Sequence, residues 1–309
     1  MTILYGEFNE GGDIKMNYNG PIVRPQTEAD AIFIEVTVGC THNSCTFCNF
    51  YEGYPFRVAP LSQVEADLQE ASRYNKDAWK VWASGGNPFA LSVEKLATLA
   101  KLFKKYLPKA RIATYARVDD LYRKSVEDIK YLKELGYDDI VLGIESGDDE
   151  VLEHVNKGYT SEDILRECKK LEEAGMEYRV IYLGGLAGHG KCEESALRTA
   201  KVLNQLHPNY MFLTTATILK GTKLYDEVQN GTFVEVDEIE RVREFRTLCQ
   251  NLKNEISIYS ATSTTMFPFI AHFPEDKEHI VSELDKIIRN FTASDETLLR
   301  ERRSKQRRV

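Results

Sequence analysis

The sequence predicts an α/β fold in which buried parallel strands alternate with helices. Six short runs rich in β-branched and aromatic residues indicate the strands. These runs cover residues 31–38, 79–83, 111–116, 139–144, 178–183 and 210–217. Amphipathic helical patterns separate them, and several begin at a serine that precedes an acidic first turn. Repeated strand–helix–strand units with right-handed crossovers form either a barrel-like sheet or an open doubly wound sheet.

The composition indicates one large core and a small-molecule or peptide substrate. A chain of 309 residues with 42% hydrophobic content can bury one such core. Its net charge of -8 argues against a protein that coats nucleic acid, because phosphates favour a basic face. The sequence has no run of about 18 apolar residues, and its acidic start lacks the order of a secretory signal. We therefore expect a cytoplasmic protein with neither nucleic acid nor membrane as a partner.

The strand–helix rhythm divides the chain into three parts. Residues 1–29 form an N-terminal extension, residues 30–225 carry the alternating core, and residues 226–309 form a mostly helical cap region. Within the cap region, ISIYSAT, residues 256–262, predicts one further strand. A basic run near the end is opposed only by Glu301, and its partner is either the protein's own acidic surface or an anionic substrate. The basic residues are Arg300, Arg302, Arg303, Lys305, Arg307 and Arg308.

Three of the six cysteines lie close together in the stretch TVGCTHNSCTFCNFYEG, residues 37–53. These cysteines, Cys40, Cys45 and Cys48, directly follow the first predicted strand. They are therefore expected at the carboxyl ends of the strands, where active sites of such sheets lie. In a reducing compartment, clustered cysteines indicate a metal or catalysis more than disulfides. The other three, Cys168, Cys192 and Cys249, are scattered singly and are expected to be small buried apolar residues.

Two kinds of metal site compete for this loop. Zinc would take Cys40, His42, Cys45 and Cys48 as a closed site, which stabilises a binding module. An iron–sulfur cube normally takes four thiolates, so three would leave one iron open to a substrate. Zinc knuckles usually recruit a second pair of ligands further along the chain, and the remaining cysteines do not occur in pairs along the sequence. The sequence favours the open cluster, with a zinc-stabilised module or a non-catalytic barrel scaffold as the alternatives.

The loop resembles that of the radical S-adenosylmethionine (SAM) enzymes, in which three cysteines follow the first strand of a partial (βα)6 TIM-like barrel. Phe47, just before the last cysteine, fits an aromatic position that lies beside the bound nucleoside in that family. The spacing is C-x4-C-x2-C, one residue longer than the usual C-x3-C-x2-C, and loop closure absorbs one residue cheaply. The resemblance implies that Cys40, Cys45 and Cys48 hold a [4Fe-4S] cluster with SAM as the second cofactor.

Further motifs extend the resemblance over residues 20–225. SGGNPF, residues 84–89, resembles the family's Gly-Gly-Glu turn, in which backbone carbonyls receive the SAM ammonium, and Asn87 stands where glutamate is commoner. The resemblance implies SAM contacts at this turn, whereas an ordinary glycine turn is the alternative. The residues concerned are Ser84, Gly85, Gly86 and Asn87.

GIESGDDEVLEHVNKGYT, residues 143–160, is very like a stretch in the branch related to oxygen-independent coproporphyrinogen oxidase and to methylthiotransferases. There Glu145 and Ser146 would reach the SAM ribose or methionine part, whereas a loop that caps the next helix is the alternative. Arg179 is expected at the end of the fifth strand and is predicted to donate two hydrogen bonds to the SAM carboxylate. Glu177 or Glu173 is the alternative partner.

The resemblance also implies a reaction and its partners. The reduced cluster would cleave SAM to a 5′-deoxyadenosyl radical, which abstracts hydrogen from a small-molecule or peptide substrate. The implied partners are that substrate and an electron donor such as flavodoxin or ferredoxin, and the enzyme is expected to be oxygen-sensitive. The coproporphyrinogen oxidases carry a further cysteine where this sequence has Phe50, which argues against a porphyrin substrate.

Overall fold

In the computed structural model of this protein, the structure describes residues 2–4, 16–28, 30–261, 265 and 267–306. Arg307 and Arg308 of the basic run lie outside the described residues. The chain forms two compact units. The first contains Met1–Asn43, Tyr51–Leu142 and Lys170–Tyr178, and the second contains Ser44–Phe50, Gly143–Lys169 and Arg179–Val309.

The first unit is built on parallel strands that lie side by side in the order in which they occur along the chain. This order is the one that strand–helix–strand crossovers produce. The strands are β3 (Ile32–Glu35), β6 (Lys80–Ser84), β7 (Arg111–Ala116) and the first part of β8 (Tyr137–Glu145). Two short antiparallel pairs accompany them: β1 (Thr2–Leu4) with β2 (Ile22–Arg24), and β4 (Thr37–Val38) with β5 (Arg57–Val58).

Helices of the first unit follow the strands, and two of them begin at predicted serine caps. They are α1 (Leu61–Tyr74), α2 (Val93–Tyr106) and α3 (Val126–Glu134). The Ser92 hydroxyl accepts a hydrogen bond from the Lys95 amide at the start of α2, which satisfies an amide that the helix leaves unpaired. Ser125 and Asp128 form a reciprocal capping box at the start of α3.

A buried ion group lies at the amino ends of the strands in the first unit. Lys80 begins β6 and is 1% exposed. Its ammonium group lies 2.9 Å from Glu28 Oε1 and also contacts the carboxylate of Asp139 in β8. Glu28 and Asp139 are likewise buried. Because an unpaired buried charge is costly, these groups depend on one another.

The second unit contains the parallel strands β9 (Tyr178–Gly184), β10 (Tyr210–Thr215) and β11 (Ile256–Ser260), and β12 (Phe269–Phe273) pairs antiparallel with β11. Its helices are α4 (Asp149–His154), α5 (Ser161–Glu173), α6 (Cys192–Leu203), α7 (Lys223–Asn230), α8 (Glu238–Asn251), α9 (Lys277–Asn290) and α10 (Ala293–Ser304). The α7 helix ends at Gly231, whose φ of 79° is the left-handed conformation that glycine adopts without strain.

The α/β fold class predicted from the sequence is confirmed, and each of the six predicted strands has a counterpart. The first predicted run is divided, since β3 ends at Glu35 and Thr37–Val38 pair separately as β4. Among the described residues after 225, the chain completes α7 and forms α8 to α10, and β11 confirms the strand predicted at residues 256–262. β11 lies parallel beside β10, and β12 was not predicted. Among the helices of the described residues, none combines the length and apolar character that a membrane crossing needs.

Candidate cofactor site

The glycine turn after β6 packs directly against the beginning of the cysteine loop. The Gly86 amide donates to the Gly39 carbonyl at 3.1 Å. A methyl group on Gly86 would lie 2.3 Å from the Gly39 oxygen, and one on Gly85 would lie 2.0 Å from the Thr37 hydroxyl oxygen. These distances are shorter than any real contact, so both glycines are required by the approach of the loop. The structure therefore brings the predicted turn next to half-buried Cys40.

Asn87 uses its side chain to hold the residue that follows Cys40. Its Oδ1 accepts the Thr41 amide at 3.0 Å, and its Nδ2 donates to the Thr41 hydroxyl at 2.7 Å. The same Nδ2 lies 2.9 and 3.0 Å from the two carboxylate oxygens of Asp120. Asn87 is 1% exposed. Sequence reasoning assigned Asn87 to SAM and did not identify Asp120.

Asp120 lies in a short 3-10 turn, Val118–Leu121, that follows β7. Burial raises the pKa of its carboxyl to about 7, although hydrogen bonds from the Arg117 amide and Asn87 oppose the shift. The neighbouring Lys124 is buried, and burial lowers its pKa to about 8. Its ammonium group donates to the Phe89 carbonyl at 2.8 Å and to the Asp120 carbonyl at 2.9 Å. Lys124 therefore ties this turn to the one that contains Asn87.

The second half of the cysteine loop is fixed within the other compact unit. The Thr46 amide donates to the Val155 carbonyl at 3.1 Å, and the Thr46 carbonyl accepts the Leu224 amide at 2.9 Å. Cys45 is half-buried, and Cys48 is exposed. The backbone on either side of Thr46 is thus held by two different elements.

Phe47 is buried in the apolar core of the second unit. It packs with side chains from α4, from the turn after β9 and from α7, and Cys45 packs against the same cluster. The buried members of this cluster are Phe47, Val151, Val155, Leu183, Leu186, Ala216, Leu224 and Phe233. Phe47 therefore anchors the loop between the last two cysteines, and its predicted contact with the nucleoside stays a prediction.

The cysteine loop has a left-handed backbone position between Cys40 and Cys45. Asn43 has a φ of 43°, and its side-chain amide donates to the Tyr51 carbonyl at 3.4 Å. Asparagine tolerates this conformation better than most residues because its short side chain bonds locally. A left-handed residue turns the chain sharply, so the loop changes direction between these two cysteines.

The donor set is one that an iron–sulfur cluster uses. Cys40 and Cys45 are half-buried and Cys48 is exposed, so none of these thiols is enclosed in the core. A cube takes each thiolate on a different iron, so three cysteines within one loop suit it.

Glu145 ends β8 in a strained conformation and forms an ion pair. Its φ of 62° is left-handed, which is unusual for a residue with a long side chain. Its Oε1 lies 3.2 Å from the ammonium nitrogen of Lys157, and Lys157 is 4% exposed. Strain of this kind persists where the surrounding structure imposes it, often at functional sites. Sequence reasoning missed Lys157, because the two residues meet only when α4 folds back past the strand end.

The Ser146 hydroxyl is engaged within the protein. Ser146 is 2% exposed, its hydroxyl lies 3.3 Å from that of Thr199, and it accepts the Asp148 amide at 3.1 Å. These bonds connect α6 to the residue that caps α4. The bonds of Ser146 correspond to the alternative named above, a loop that caps the next helix, although Ser146 is buried and not in contact with solvent. Ser84, the last residue of β6, is likewise buried.

Arg179 lies at the opposite end of its strand from the expected site. It is the second residue of β9, opposite Tyr210 in register, and its guanidinium carbon lies 5.5 Å from the centre of the Tyr210 ring. The carboxyl end of the strand is at Gly184, about 16 Å further along at the usual rise per residue. The expected location at the carboxyl end is therefore wrong, and the structure does not group Arg179 with Glu145.

The glycine turn after β9 receives side chains from α8. The Tyr182 hydroxyl and the Gly185 amide donate to the two carboxylate oxygens of Glu244, at 2.7 and 2.8 Å. Burial raises the pKa of Glu244 to about 7, and these hydrogen bonds oppose the shift. A methyl group on Gly185, whose φ is 88°, would lie 2.2 Å from Arg241 Nη1. This turn thus requires glycine because α8 approaches it closely.

Three arginines of the basic run, Arg300, Arg302 and Arg303, lie in α10. Arg303 in α10 is 4% exposed and bonds both carboxylate oxygens of Glu238 at 2.7 Å. It also donates to the Thr215 hydroxyl at 2.9 Å, at the carboxyl end of β10. Arg300 pairs with Asp237 at 2.8 Å. The sequence analysis expected either the protein's own acidic surface or an anionic substrate as the partner of the basic run. For Arg300 and Arg303 the partners are acidic groups of the protein itself.

Comparison with known proteins identifies the family. Residues 34–203 match the family model described as the Radical SAM superfamily, which is more than half of the chain. The chain belongs to the Radical SAM superfamily. Members of this superfamily are enzymes that bind a [4Fe-4S] cluster and SAM, so the two cofactors expected from the cysteine loop are confirmed. The zinc-stabilised module and the non-catalytic scaffold are not favoured.

Curated relatives agree with the predicted branch. The chain is 24% identical over 216 residues to an uncharacterized protein of Methanocaldococcus jannaschii, a match that covers 66% of each chain. It is 27% identical over 204 residues to the heme chaperone HemW of Bacillus subtilis, covering 62% of this chain and 52% of that protein. A tRNA-2-methylthio-N(6)-dimethylallyladenosine synthase of Clostridium tetani is 23% identical over 200 residues, 63% of this chain and 44% of the synthase. The matches thus span between about half and two thirds of these relatives.

Solved structures share the fold at low sequence identity. Methylornithine synthase superposes with a TM-score of 0.53 at 14% identity, covering 83% of this chain and 81% of the synthase. The radical SAM methyltransferase TsrM of Kitasatospora setae gives a TM-score of 0.54 at 14% identity, covering 90% of this chain and 62% of that enzyme. These likenesses confirm the TIM-barrel-like fold class.

Proposed function

We propose that this protein is a radical SAM enzyme that abstracts hydrogen from a small-molecule or peptide substrate. The observation that carries the proposal is the three-cysteine loop, which follows the first core strand inside the matched superfamily domain. When bound, the cluster and SAM supply an electron and a 5′-deoxyadenosyl radical for that step. The net charge of -8 supports a substrate other than nucleic acid.

The protein's own part begins with the cluster ligands. Cys40, Cys45 and Cys48 would hold three irons through their thiolates and leave the fourth without a protein ligand. The backbone carbonyls of the glycine turn at residues 84–86 would accept the SAM ammonium group. This turn is held against the cysteine loop by the Gly86 to Gly39 hydrogen bond, which supports a fixed arrangement of the two segments.

Glu145 would accept hydrogen bonds from the hydroxyls or ammonium group of SAM. A carboxylate at the carboxyl end of a strand suits this role because it accepts from two donors at once. Lys157 supports it as a positioning residue, since the ion pair fixes the direction of the carboxylate. The strained backbone of Glu145 is consistent with a functional demand at this position.

The proposed partners follow from the cleavage of SAM, which needs an electron from a strong reductant. We propose a flavodoxin or ferredoxin as the electron donor and the cytoplasm as the location, because thiolates and iron–sulfur clusters persist in reducing compartments. Enclosure of the reacting groups would protect them from water and oxygen.

Anaerobic preparation tests the proposal. The protein is expected to be brown, to absorb at about 400 nm, to hold about four irons per chain, and to release 5′-deoxyadenosine from SAM when reduced. The Cys40/Cys45/Cys48→Ala triple variant should lose the iron and the product. Cys168→Ala, which changes a buried cysteine outside the loop, is the matched control and should retain both. A colourless protein with stoichiometric zinc would overturn the assignment.

A further inference from the structure

We propose that Asn87 and Asp120 form a clamp that positions Cys40, and that the Asn87 side chain serves this clamp and does not bind SAM. The inference rests on the proposed function, because it concerns the first ligand of the cluster. It assigns roles to one residue that replaces the family's usual glutamate and to another that no motif identifies. Both act through Thr41, so they are positioning residues.

The hydrogen-bonding capacity of Asn87 is used within the protein. A side-chain amide offers one accepting oxygen and two N–H donors. The oxygen accepts the Thr41 amide, and the two donors face the Thr41 hydroxyl and the Asp120 carboxylate. With 1% of the residue exposed, the amide lacks a donor that could turn toward a cofactor.

The clamp fixes both peptide planes that flank Cys40. The Gly86 amide holds the Gly39 carbonyl, which belongs to the peptide between Gly39 and Cys40. Asn87 holds the Thr41 amide, which belongs to the peptide between Cys40 and Thr41. Because a peptide unit is planar, fixing the two planes fixes φ and ψ of Cys40. The direction of its Cα–Cβ bond is then set, and only the rotation of the thiol group remains.

Asp120 explains why asparagine replaces glutamate at position 87. A glutamate here would have no donor for Asp120 and would place a second carboxylate within about 3 Å of the first. Asparagine instead donates to both Asp120 oxygens. Asp120 also accepts the Arg117 amide at 2.8 Å, and Lys124 bonds the backbone of both turns, so the acceptor is itself held in place. Positions 87 and 120 are therefore matched as a pair.

The clamp acts on the start of the cysteine loop. Its hydrogen bonds hold Gly39 and Thr41, the two residues that flank Cys40, and the left-handed Asn43 follows them along the chain. Cys40 is therefore held before the chain turns at Asn43.

An exchange of the two side chains tests the pair. We would compare the wild type, Asn87→Asp, the Asn87→Asp/Asp120→Asn double variant, and Asp77→Asn as the control on an exposed carboxylate that pairs with exposed Lys109. Each protein is reconstituted without oxygen at pH 8, above the pKa of about 7 of Asp120. Iron content, the rate of cluster loss to a chelator, the spectrum of the reduced cluster and SAM affinity are measured, and thermal unfolding before reconstitution reports on folding.

Asn87→Asp should lose its cluster about tenfold faster than the wild type, because the Thr41 hydroxyl and Asp120 lose their donor. The double variant should recover, since the new carboxylate at position 87 would accept from Thr41. The new amide at position 120 would donate to that carboxylate and accept from Arg117. The control should match the wild type.

Two results would overturn the inference. One is an Asn87→Asp protein that keeps its cluster but loses SAM affinity, and the other is a double variant that does not recover. A wild type that takes up no iron overturns the proposed function, and the inference with it.

Discussion

Glu145 and Lys157 form an ion pair of 3.2 Å in which the carboxylate belongs to a strained, left-handed residue and the ammonium group is buried. Arg179, by contrast, lies over the Tyr210 ring near the start of β9. The two residues that sequence reasoning joined in one site are therefore placed at different ends of their strands.

This difference predicts opposite results for two alanine variants. Glu145→Ala should weaken SAM binding by about tenfold or more, because a charged hydrogen-bond acceptor is lost. Arg179→Ala should leave the affinity within about twofold, and it serves as the control for removal of a charge. Binding is measured on reconstituted proteins of equal iron content. Equal losses in the two variants would return Arg179 to the site, and unchanged binding by Glu145→Ala would remove Glu145 from it.

Gly86→Ala should destabilise the protein by about 1–3 kcal/mol and reduce its iron content, because the new methyl group would lie 2.3 Å from the Gly39 oxygen. Gly190→Ala is the control. Gly190 has a φ of 78° but nothing within 4 Å of the place that a methyl group would occupy, so its substitution adds backbone strain without a clash. It should cost at most about 1 kcal/mol and leave the iron content unchanged. Denaturant unfolding and iron analysis measure the two effects, and loss of iron from both variants would contradict this account.

Glu244 predicts a fall in stability as the pH rises. Its pKa is about 7 in the folded protein and ordinarily 4.5, so the folded state binds the proton more tightly than the unfolded state. The stabilisation from protonation is fully present below pH 4.5 and is lost as the pH rises from there through about 7. In Glu244→Gln the amide oxygen can still accept the Gly185 amide, and the amide nitrogen would donate to the Tyr182 oxygen, which then accepts where it now donates.

The Glu244→Gln variant should therefore lose less unfolding free energy between about pH 5 and pH 8 than the wild type. Glu173→Gln, at a glutamate outside this turn, is the control and should follow the wild type. Denaturant unfolding at several pH values provides the comparison. Parallel profiles for Glu244→Gln and the wild type would show that Glu244 does not titrate in this range.

Arg303→Met should cost about 3 kcal/mol of unfolding free energy, because buried Glu238 loses its two bonds to Arg303 and retains the longer contact of 3.9 Å with Arg241. Combining it with Glu238→Leu should recover part of that loss, since the poorly paired carboxylate is removed. Arg302→Ala changes an exposed neighbour on the same helix and should alter stability by less than about 0.5 kcal/mol. Chemical denaturation distinguishes these cases. A chain ending before Arg300 that is as stable as the full protein would show that α10 contributes little.

Much of the core was predictable because buried parallel strands produce continuous apolar runs, as in residues 140–142. The two-residue strand β5 was missed because a segment that short carries no periodicity, and β4 was predicted as the end of the first run and not as a separate strand. β12 was missed although its residues alternate between buried and exposed. The α/β alternation also placed the cysteine loop correctly after the first core strand.

The contacts of the candidate site were less predictable. Asn87 and Asp120 are 33 residues apart, so their pairing depends on how β7 lies beside β6. Lys157 contacts Glu145 because α4, which lies between them in the sequence, returns the chain to the end of β8. The position of Arg179, in contrast, was available from the sequence, because it is the second residue of the predicted strand at residues 178–183. The predicted SAM contact of Arg179 assumed a position at the carboxyl end of the strand, whereas Arg179 lies near its amino end.

The ion group around Lys80 has a practical consequence for handling the protein. Glu28 precedes the first core strand, yet among the described residues it supplies one of the carboxylates that contact the ammonium group of Lys80. Trimming the chain to its alternating core, starting at residue 30, would remove that carboxylate from a buried ion group. Shortened versions for crystallisation or fusion should therefore begin upstream of Glu28, and a tag joined directly at residue 30 is expected to lower the yield of folded protein.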